Sequence, residues 1–252
     1  MNRNLILNLM LLLAGASGAF ASAFEQANQQ STAGDFTGAA ASYEKILADE
    51  GPDAAVYYNL GNSYQSLKQY GPSILAYERA RLLTPRDPDL LANLALARKA
   101  ATAFEGSGLH PRLEAVINHL SRNEWSWLVV GSALVVGVLA ILCGIVKLQR
   151  RWMRNLAIGI GGFVAIVIAA GSTALYLRRT DAGRGIVLSD HATVRLSPFE
   201  KAESLGTTGP GRLVRLGESS GDFRYIEVPG TNLRGWLAST EVTAITPEDS
   251  RK

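Results

Sequence analysis

Residues 57–64 read YYNLGNSY and place Gly61 in the middle of a segment that has helical spacing and no proline. A glycine inside a helix costs about 1 kcal/mol relative to alanine, so we expect a packing reason for it. The surrounding sequence repeats at an offset of 34 residues, a period typical of stacked helix-turn-helix arrays. The recurring pairs are Ala27 and Gly61, Phe36 and Tyr70, Ala39 and Ser73, Tyr43 and Tyr77, and Glu44 and Glu78.

Turn and capping residues divide residues 24–105 into helices that agree with this period. Asp53 is placed to cap one helix. Gly71 and Pro72 open the next helix with proline in its first turn, and Pro85 ends it. The sequence therefore predicts an α-helical array over residues 24–105.

A last helix, about residues 89–103, follows Asp87 and Pro88 and has no partner in the period. Arg98 and Lys99 lie near its end. Stacked arrays need a terminal helix with a polar outer face for solubility. We therefore expect this helix to cap the array and to face solvent.

The second copy, residues 54–87, resembles the tetratricopeptide repeat. Its matching residues are Tyr57, Leu60, Gly61, Tyr64, Ser73 where alanine is usual, Tyr77, Ala80 and Pro85. The first copy is degenerate, with Ala27 in register but Gln30 at a tyrosine position. In this register Gly61 faces the small residues Ser73 and Ala80 of the next helix, so we expect a close helix crossing.

The groove-facing positions of the same register carry side-chain amides. They are Asn28, Asn59, Asn62, Gln65 and Asn93. Asn28 and Asn59 resemble two members of the clamp with which some tetratricopeptide proteins hold a C-terminal carboxylate, but Phe24, Asp89 and Asn93 stand at its basic positions. We therefore expect a neutral groove for an extended or helical peptide. The alternative is that these amides only cap and solvate the array.

Apolar residues make up 47% of the 252 residues, and they are concentrated in three blocks. The first, Leu5–Leu13, follows Arg3 and precedes small residues, which predicts a secretory signal over residues 1–23. The other two predict transmembrane helices at residues 125–146 and 156–177, because each is long enough to cross a bilayer. The sequence therefore predicts a two-helix membrane hairpin.

The predicted connection between the two spans, residues 147–155, carries only positive charge. Its basic residues are Lys147, Arg150, Arg151 and Arg154, with no acid. Such loops remain in the cytoplasm, so both flanking regions are expected on the extracytoplasmic side of a bacterial inner membrane. The formal net charge of +3 thus reflects topology and does not indicate nucleic-acid binding.

Residues 106–124 form a linker between the array and the first span. Within it, residues 112–123 place apolar side chains on one helical face. This segment is predicted either to lie along the membrane surface or to pack under the array.

After residue 184 the apolar period changes from helical to alternating, which predicts an all-β domain over residues 184–246 and a tail at 247–252. Five short strands are predicted, at residues 185–188, 192–196, 212–216, 223–228 and 233–237. About 60 residues of this kind form a small barrel. The matching residues Val194-Arg195, Gly221-Asp222-Phe223, Val228 and Gly235-Trp236-Leu237 resemble the bacterial SH3-like domain. Phe223, which replaces a frequent tryptophan, and Trp236 are expected in the core or groove wall.

No set of residues indicates catalysis, a metal or a cofactor. Ser189, Asp190 and His191 are neighbours on a strand, whereas a hydrolase triad brings converging side chains from distant positions. His110 and His119 are accompanied by no cysteine or carboxylate cluster. We therefore expect a protein that is not an enzyme.

The order of signal, short repeat array, membrane segments and SH3-like domain resembles the E-type proteins of the Bat (Bacteroides aerotolerance) group. The resemblance lies in Asn59-Leu60-Gly61-Asn62, Tyr77-Glu78-Arg79-Ala80, Pro85 and Asn93-Leu94. It implies an adaptor that acts with von Willebrand A membrane proteins and a MoxR-type ATPase in envelope or oxidative stress. The alternative is a module that binds peptidoglycan through the SH3-like domain.

Overall fold

The structure is a computed structural model that describes residues 22–103, 116–117, 119–120, 122–145, 151–179 and 183–246. The chain forms two compact units, of which one joins Met1–Gly108 to Gly183–Lys252 and the other is Leu109–Ala182. The predicted signal peptide up to residue 21, most of the predicted linker, residues 147–150 of the predicted cytoplasmic loop and the tail lie outside the described residues.

The first part of the discontinuous unit is an array of antiparallel helices, as the period predicts. Its helices are α1 (residues 22–32), α2 (Phe36–Glu50), α3 (Ala54–Ser66), α4 (Tyr70–Leu83) and α5 (Pro88–Ala100). The Asp53 carboxylate accepts a hydrogen bond from the Val56 amide and caps α3, as predicted. Asp87 caps α5 in the same way through the Asp89 and Leu90 amides. Local capping chemistry thus sets where α3 and α5 begin.

The second part is a sheet of seven antiparallel strands. They are β1 (Arg184–Val187), β2 (Ala192–Arg195), β3 (Ser204–Thr208), β4 (Leu213–Ser220), β5 (Phe223–Glu227), β6 (Arg234–Ala238) and β7 (Val242–Ala244). Their order across the sheet is β3-β2-β6-β5-β4-β1-β7.

The expectation of a five-stranded barrel is wrong in two respects. The sheet ends at β3 and β7, which do not pair with each other, so it is not closed. The two strands that the sequence pattern missed are these edge strands. β3 reads SLGTT and is mostly exposed, so it lacks the apolar alternation by which half-buried strands are recognised, and β7 has only three residues.

The array and the sheet share one hydrophobic core. Ile186 of β1 and Ile245 after β7 are buried in the same cluster as Tyr57, Ile74 and Leu90 of the array. A second cluster fills the space between α1, α2 and α3, and a third lies within the sheet. The sequence pattern predicts the array and the sheet as two separate domains, whereas in the structure they pack as one unit.

Arg79 on α4 ties the array to the sheet by hydrogen bonds as well. Its Nε donates to the Ile245 carbonyl at 3.2 Å and its Nη2 to the Ala244 carbonyl at 3.0 Å. Gly71 lies so close to the chain after β1 that a Cβ there would stand 2.5 Å from the Leu188 carbonyl oxygen. A backbone approach this close admits only glycine.

The other unit contains two long helices, α6 (Arg122–Ile145) and α7 (Arg151–Arg179), which pack against each other. Both are long and apolar enough to cross a membrane, and only 6% and 11% of their apolar windows are buried, unlike the core helices of a soluble protein. Gly171 contacts α6, since a Cβ at this position would stand 2.6 Å from Val129 Cγ2. Because α7 begins at Arg151, residues 151–155 of the predicted loop are helical.

Candidate protein-binding surface

Two predicted groove amides, Asn28 of the first repeat and Asn59 of the second, meet around one side-chain oxygen. Tyr43, buried on α2, donates its hydroxyl to Asn28 Oδ1 at 2.7 Å. Asn59 Nδ2 on α3 donates to the same oxygen at 3.0 Å. One asparagine on α1 thus links the two following helices.

The same arrangement recurs one repeat later. Tyr77 donates its hydroxyl to Asn62 Oδ1 at 2.6 Å, and Asn93 Nδ2 donates to that oxygen at 3.1 Å. Each member lies 34 residues after its counterpart, so the sequence period is expressed as a repeated hydrogen-bond unit. We call the two units together the asparagine–tyrosine ladder; its members are Asn28, Tyr43, Asn59, Asn62, Tyr77 and Asn93.

The second hydrogen-bond unit of the ladder has additional polar contacts. The Tyr77 hydroxyl also lies 3.0 Å from Gln65 Oε1, and Asn93 Nδ2 lies 2.9 Å from the Tyr58 hydroxyl. The rings of Tyr58 and Tyr77 pack with their centroids 6.1 Å apart. These contacts bring Asn62, Gln65 and Asn93 together on one face.

The tyrosines of the ladder stay protonated. Burial raises the pKa of Tyr43, and the hydrogen bond from Asn59 offsets only part of that shift. Burial also raises the pKa of Tyr77, as does the neighbouring Tyr58. Both hydroxyls therefore remain hydrogen-bond donors at any physiological pH.

Four polar atoms of the ladder are not used by its hydrogen bonds. In residues 22–103, the Nδ2 groups of Asn28 and Asn62 and the Oδ1 atoms of Asn59 and Asn93 make no hydrogen bond. All four side chains are partly exposed. The free donor and the free acceptor in each hydrogen-bond unit match the two hydrogen-bonding groups of a peptide unit. The other amide atoms of these four residues form hydrogen bonds within the array, which supports the alternative that the residues stabilise it.

Gly61 contributes close packing behind the ladder. A Cβ at Gly61 would stand 2.5 Å from Cε1 of Tyr77, while the buried Ser73 donates its hydroxyl to the Gly61 carbonyl at 2.9 Å. The nearest obstacle to a side chain at this position is therefore the Tyr77 ring, with Ser73 contacting the backbone. Ala27, Ala80 and Tyr77 are fully buried, and Pro85 lies in the turn after α4.

A buried ion pair joins α4 to α5. The Glu78 carboxylate is 1% exposed and pairs with Arg81 at 2.7 Å and with Arg98 of α5. Burial alone would raise the pKa of Glu78, but these guanidinium groups, with Arg184 of β1, hold it below its usual value. Glu78 therefore stays ionised and links α4 to α5 beside the sheet.

The sheet carries a separate apolar cleft of about 540 Å³. Its lining includes Leu196, Leu205, Tyr225, Leu233 and Arg234. Neither aromatic residue singled out in the sequence lines it. Phe223 is buried under Arg195, whose guanidinium carbon lies 5.9 Å from the ring centroid, and Trp236 packs edge-on against Tyr225.

No protein-family model matches the chain, and no curated protein matches it. Within the described residues, no cluster of three or more histidine, cysteine, aspartate or glutamate side chains is placed to hold a metal ion.

Sequence reasoning found the amides but missed how they connect. The repeated hydrogen bonds could have been predicted from the sequence, because Asn28 and Asn62, and also Asn59 and Asn93, are 34 residues apart. The link between Arg79 and the sheet had no such signal, since its acceptors are backbone carbonyls far along the chain.

Proposed function

We propose that this chain is a non-enzymatic membrane adaptor of the Bat type. Its tetratricopeptide-like array would bind an extended or helical segment of a protein partner, and the two apolar helices would anchor it in the bilayer. The von Willebrand A membrane proteins and the MoxR-type ATPase implied by the resemblance are the partners that we propose. The observation that carries the proposal is the joint between the array and the sheet.

The joint supports the proposed topology. Residues 22–103 and 183–246 pack around one core, and one folded unit cannot lie on both sides of a bilayer. The chain between them must then cross the membrane an even number of times, in agreement with α6 and α7 as two spans. With the basic connection in the cytoplasm, the whole unit would lie on the extracytoplasmic side.

The asparagine–tyrosine ladder supports peptide recognition. Its hydrogen bonds fix the amides, so their outward donors and acceptors are held in place before a ligand arrives. Preorganisation of this kind lowers the entropy cost of binding. The neutral groove favours recognition through peptide groups over recognition through a terminal carboxylate.

The test of this surface exchanges outward donors without breaking the ladder. In Asn28→Asp/Asn62→Asp each carboxylate keeps the oxygen that accepts from tyrosine and asparagine, but the outward Nδ2 donor becomes a charged acceptor. We expect crosslinking in membranes to recover markedly less of the partner with this variant than with the wild type. The matched control is Gln26→Glu, which adds charge at an exposed residue of α1 outside the ladder. Equal recovery from both variants would exclude the ladder as the binding surface.

A second candidate function rests on the apolar cleft of the sheet. A tetratricopeptide-like array alone does not explain Leu196 and Leu205, which are 57% and 44% exposed. We propose peptidoglycan attachment through an SH3-like domain as the alternative. Sedimentation of the detergent-solubilised chain with purified peptidoglycan tests it. Binding that Leu205→Glu weakens would support this function, and the absence of binding would remove it.

A further inference from the structure

The last helix of the array exposes an apolar face. Leu91 and Leu96 are 40% and 56% exposed, and Ala92 and Ala95 between them are exposed as well. The opposite face, with Leu90, Leu94 and Ala97, is buried against the array. Helical geometry therefore places the four exposed residues on one outward strip.

This face differs from what a terminal helix needs. We expected α5 to solvate the end of the array, and the caps of stacked arrays have polar outer faces. Within residues 22–103, the exposed large apolar side chains are four leucines, and all of them lie on α5 or at the end of α4. They are Leu82, Leu83, Leu91 and Leu96. An exposed apolar patch rimmed by charges is typical of a protein-binding surface.

We propose that the outer face of α5 binds the same face of a second copy of this chain. A twofold axis across the helix pairs two antiparallel α5 helices, and such an interface uses one patch on both subunits. With Asp89 opposite Lys99, Leu96 of one copy lies over Ala92 of the other. Large residues then meet small ones, which allows close packing of the two helices.

The charges of the strip agree with this register. Asp89 lies in the first turn of α5 and Lys99 in the last, and both side chains are exposed. Neither forms an ion pair within the described residues. An antiparallel pair brings each acid of one copy to a base of the other at both ends, whereas a parallel pair would bring like charges together.

The experiment measures self-association of the full chain in a neutral detergent by two-colour fluorescence energy transfer. We expect the wild type to dimerise and Leu96→Glu to weaken the dimer at least about tenfold, because a charge replaces a buried leucine in both copies. Phe199→Glu is the matched control and is expected to leave the dimer unchanged, since Phe199 is an exposed apolar residue between β2 and β3 and does not belong to α5. A monomeric wild type, or a dimer that Leu96→Glu does not weaken, overturns the proposal.

A charge exchange then tests the antiparallel register. Asp89→Lys and Lys99→Glu are each expected to weaken the dimer about two- to thirtyfold, because two ion pairs become two repulsive pairs. The double variant, Asp89→Lys/Lys99→Glu, should restore wild-type affinity to within about twofold. Circular dichroism of each variant reports whether α5 is still folded. Folded single variants without rescue in the double variant contradict the antiparallel pair.

Discussion

Replacement of Gly71 by alanine tests the joint between the array and the sheet. Gly71 lies in the first turn of α4, where alanine alone would favour the helix by up to about 1 kcal/mol. The added methyl group would stand 2.5 Å from the Leu188 carbonyl oxygen, 2.7 Å from Leu188 Cα and 2.8 Å from the Val187 carbonyl oxygen. These are backbone atoms, so no side-chain rotation relieves the overlap.

We therefore expect Gly71→Ala to destabilise the protein, although alanine alone would favour the helix. Overpacking of a well-packed core costs about 1 to 3 kcal/mol, which exceeds the gain in helix propensity. Because the gain of up to about 1 kcal/mol is subtracted from that cost, the free energy of unfolding of Gly71→Ala should fall by up to about 2 kcal/mol. This loss would reflect contact with the sheet, since the three nearest atoms outside the neighbouring backbone of α4 all belong to Val187 and Leu188.

The assay is urea unfolding of the full chain in detergent, followed by the loss of its far-ultraviolet circular dichroism. Gly137→Ala on α6 is the matched control, because a methyl group there meets no atom within 4 Å. We expect the control to unfold at the wild-type urea concentration or slightly above it. A Gly71→Ala variant as stable as that control would refute the joint.

Two further changes test the ladder and the buried ion pair. Tyr77→Phe removes the hydroxyl that donates to Asn62, so the free energy of unfolding should fall by about 0.5 to 1.5 kcal/mol in urea denaturation. Glu78→Gln should cost about 3 to 5 kcal/mol at pH 7, because it leaves Arg81 and Arg98 without their anion. Since the folded protein lowers the pKa of Glu78, the ion pair stabilises the wild type above the unfolded pKa and is lost as the pH falls through the folded pKa. The stability difference between wild type and Glu78→Gln should therefore shrink below about pH 4, and a constant difference in urea midpoints would contradict this.

Local chemistry made much of the array predictable. Asp53, Pro85 and Asp87 act on their own helix ends, so their roles can be read within a few residues of sequence. The long apolar runs that became α6 and α7 are equally direct, because their length alone matches a bilayer.

Long-range contacts account for what the sequence did not predict. In the sequence Gly71 resembles an ordinary residue at the start of a helix. In the structure its lack of a side chain is required by a backbone contact with Val187 and Leu188, which follow both long helices in the sequence. The sequence pattern did not predict β3, because an exposed edge strand needs no alternation of apolar and polar residues. The outer face of α5 differs from the polar face that Arg98 and Lys99 predict, because Arg98 pairs inward with Glu78.

Sidedness of single cysteines tests the central claim that the array and the sheet form one unit on one side of a membrane. In a Cys143→Ser background, Ser66→Cys marks the array and Glu218→Cys marks the sheet, both at exposed positions, while Gln149→Cys marks the predicted cytoplasmic loop. A membrane-impermeant maleimide is applied to intact cells before and after permeabilisation. We expect the first two cysteines to react in intact cells and the third only after permeabilisation. Labelling of the array and the sheet from opposite sides would contradict the joint, the two spans and the proposed adaptor topology together.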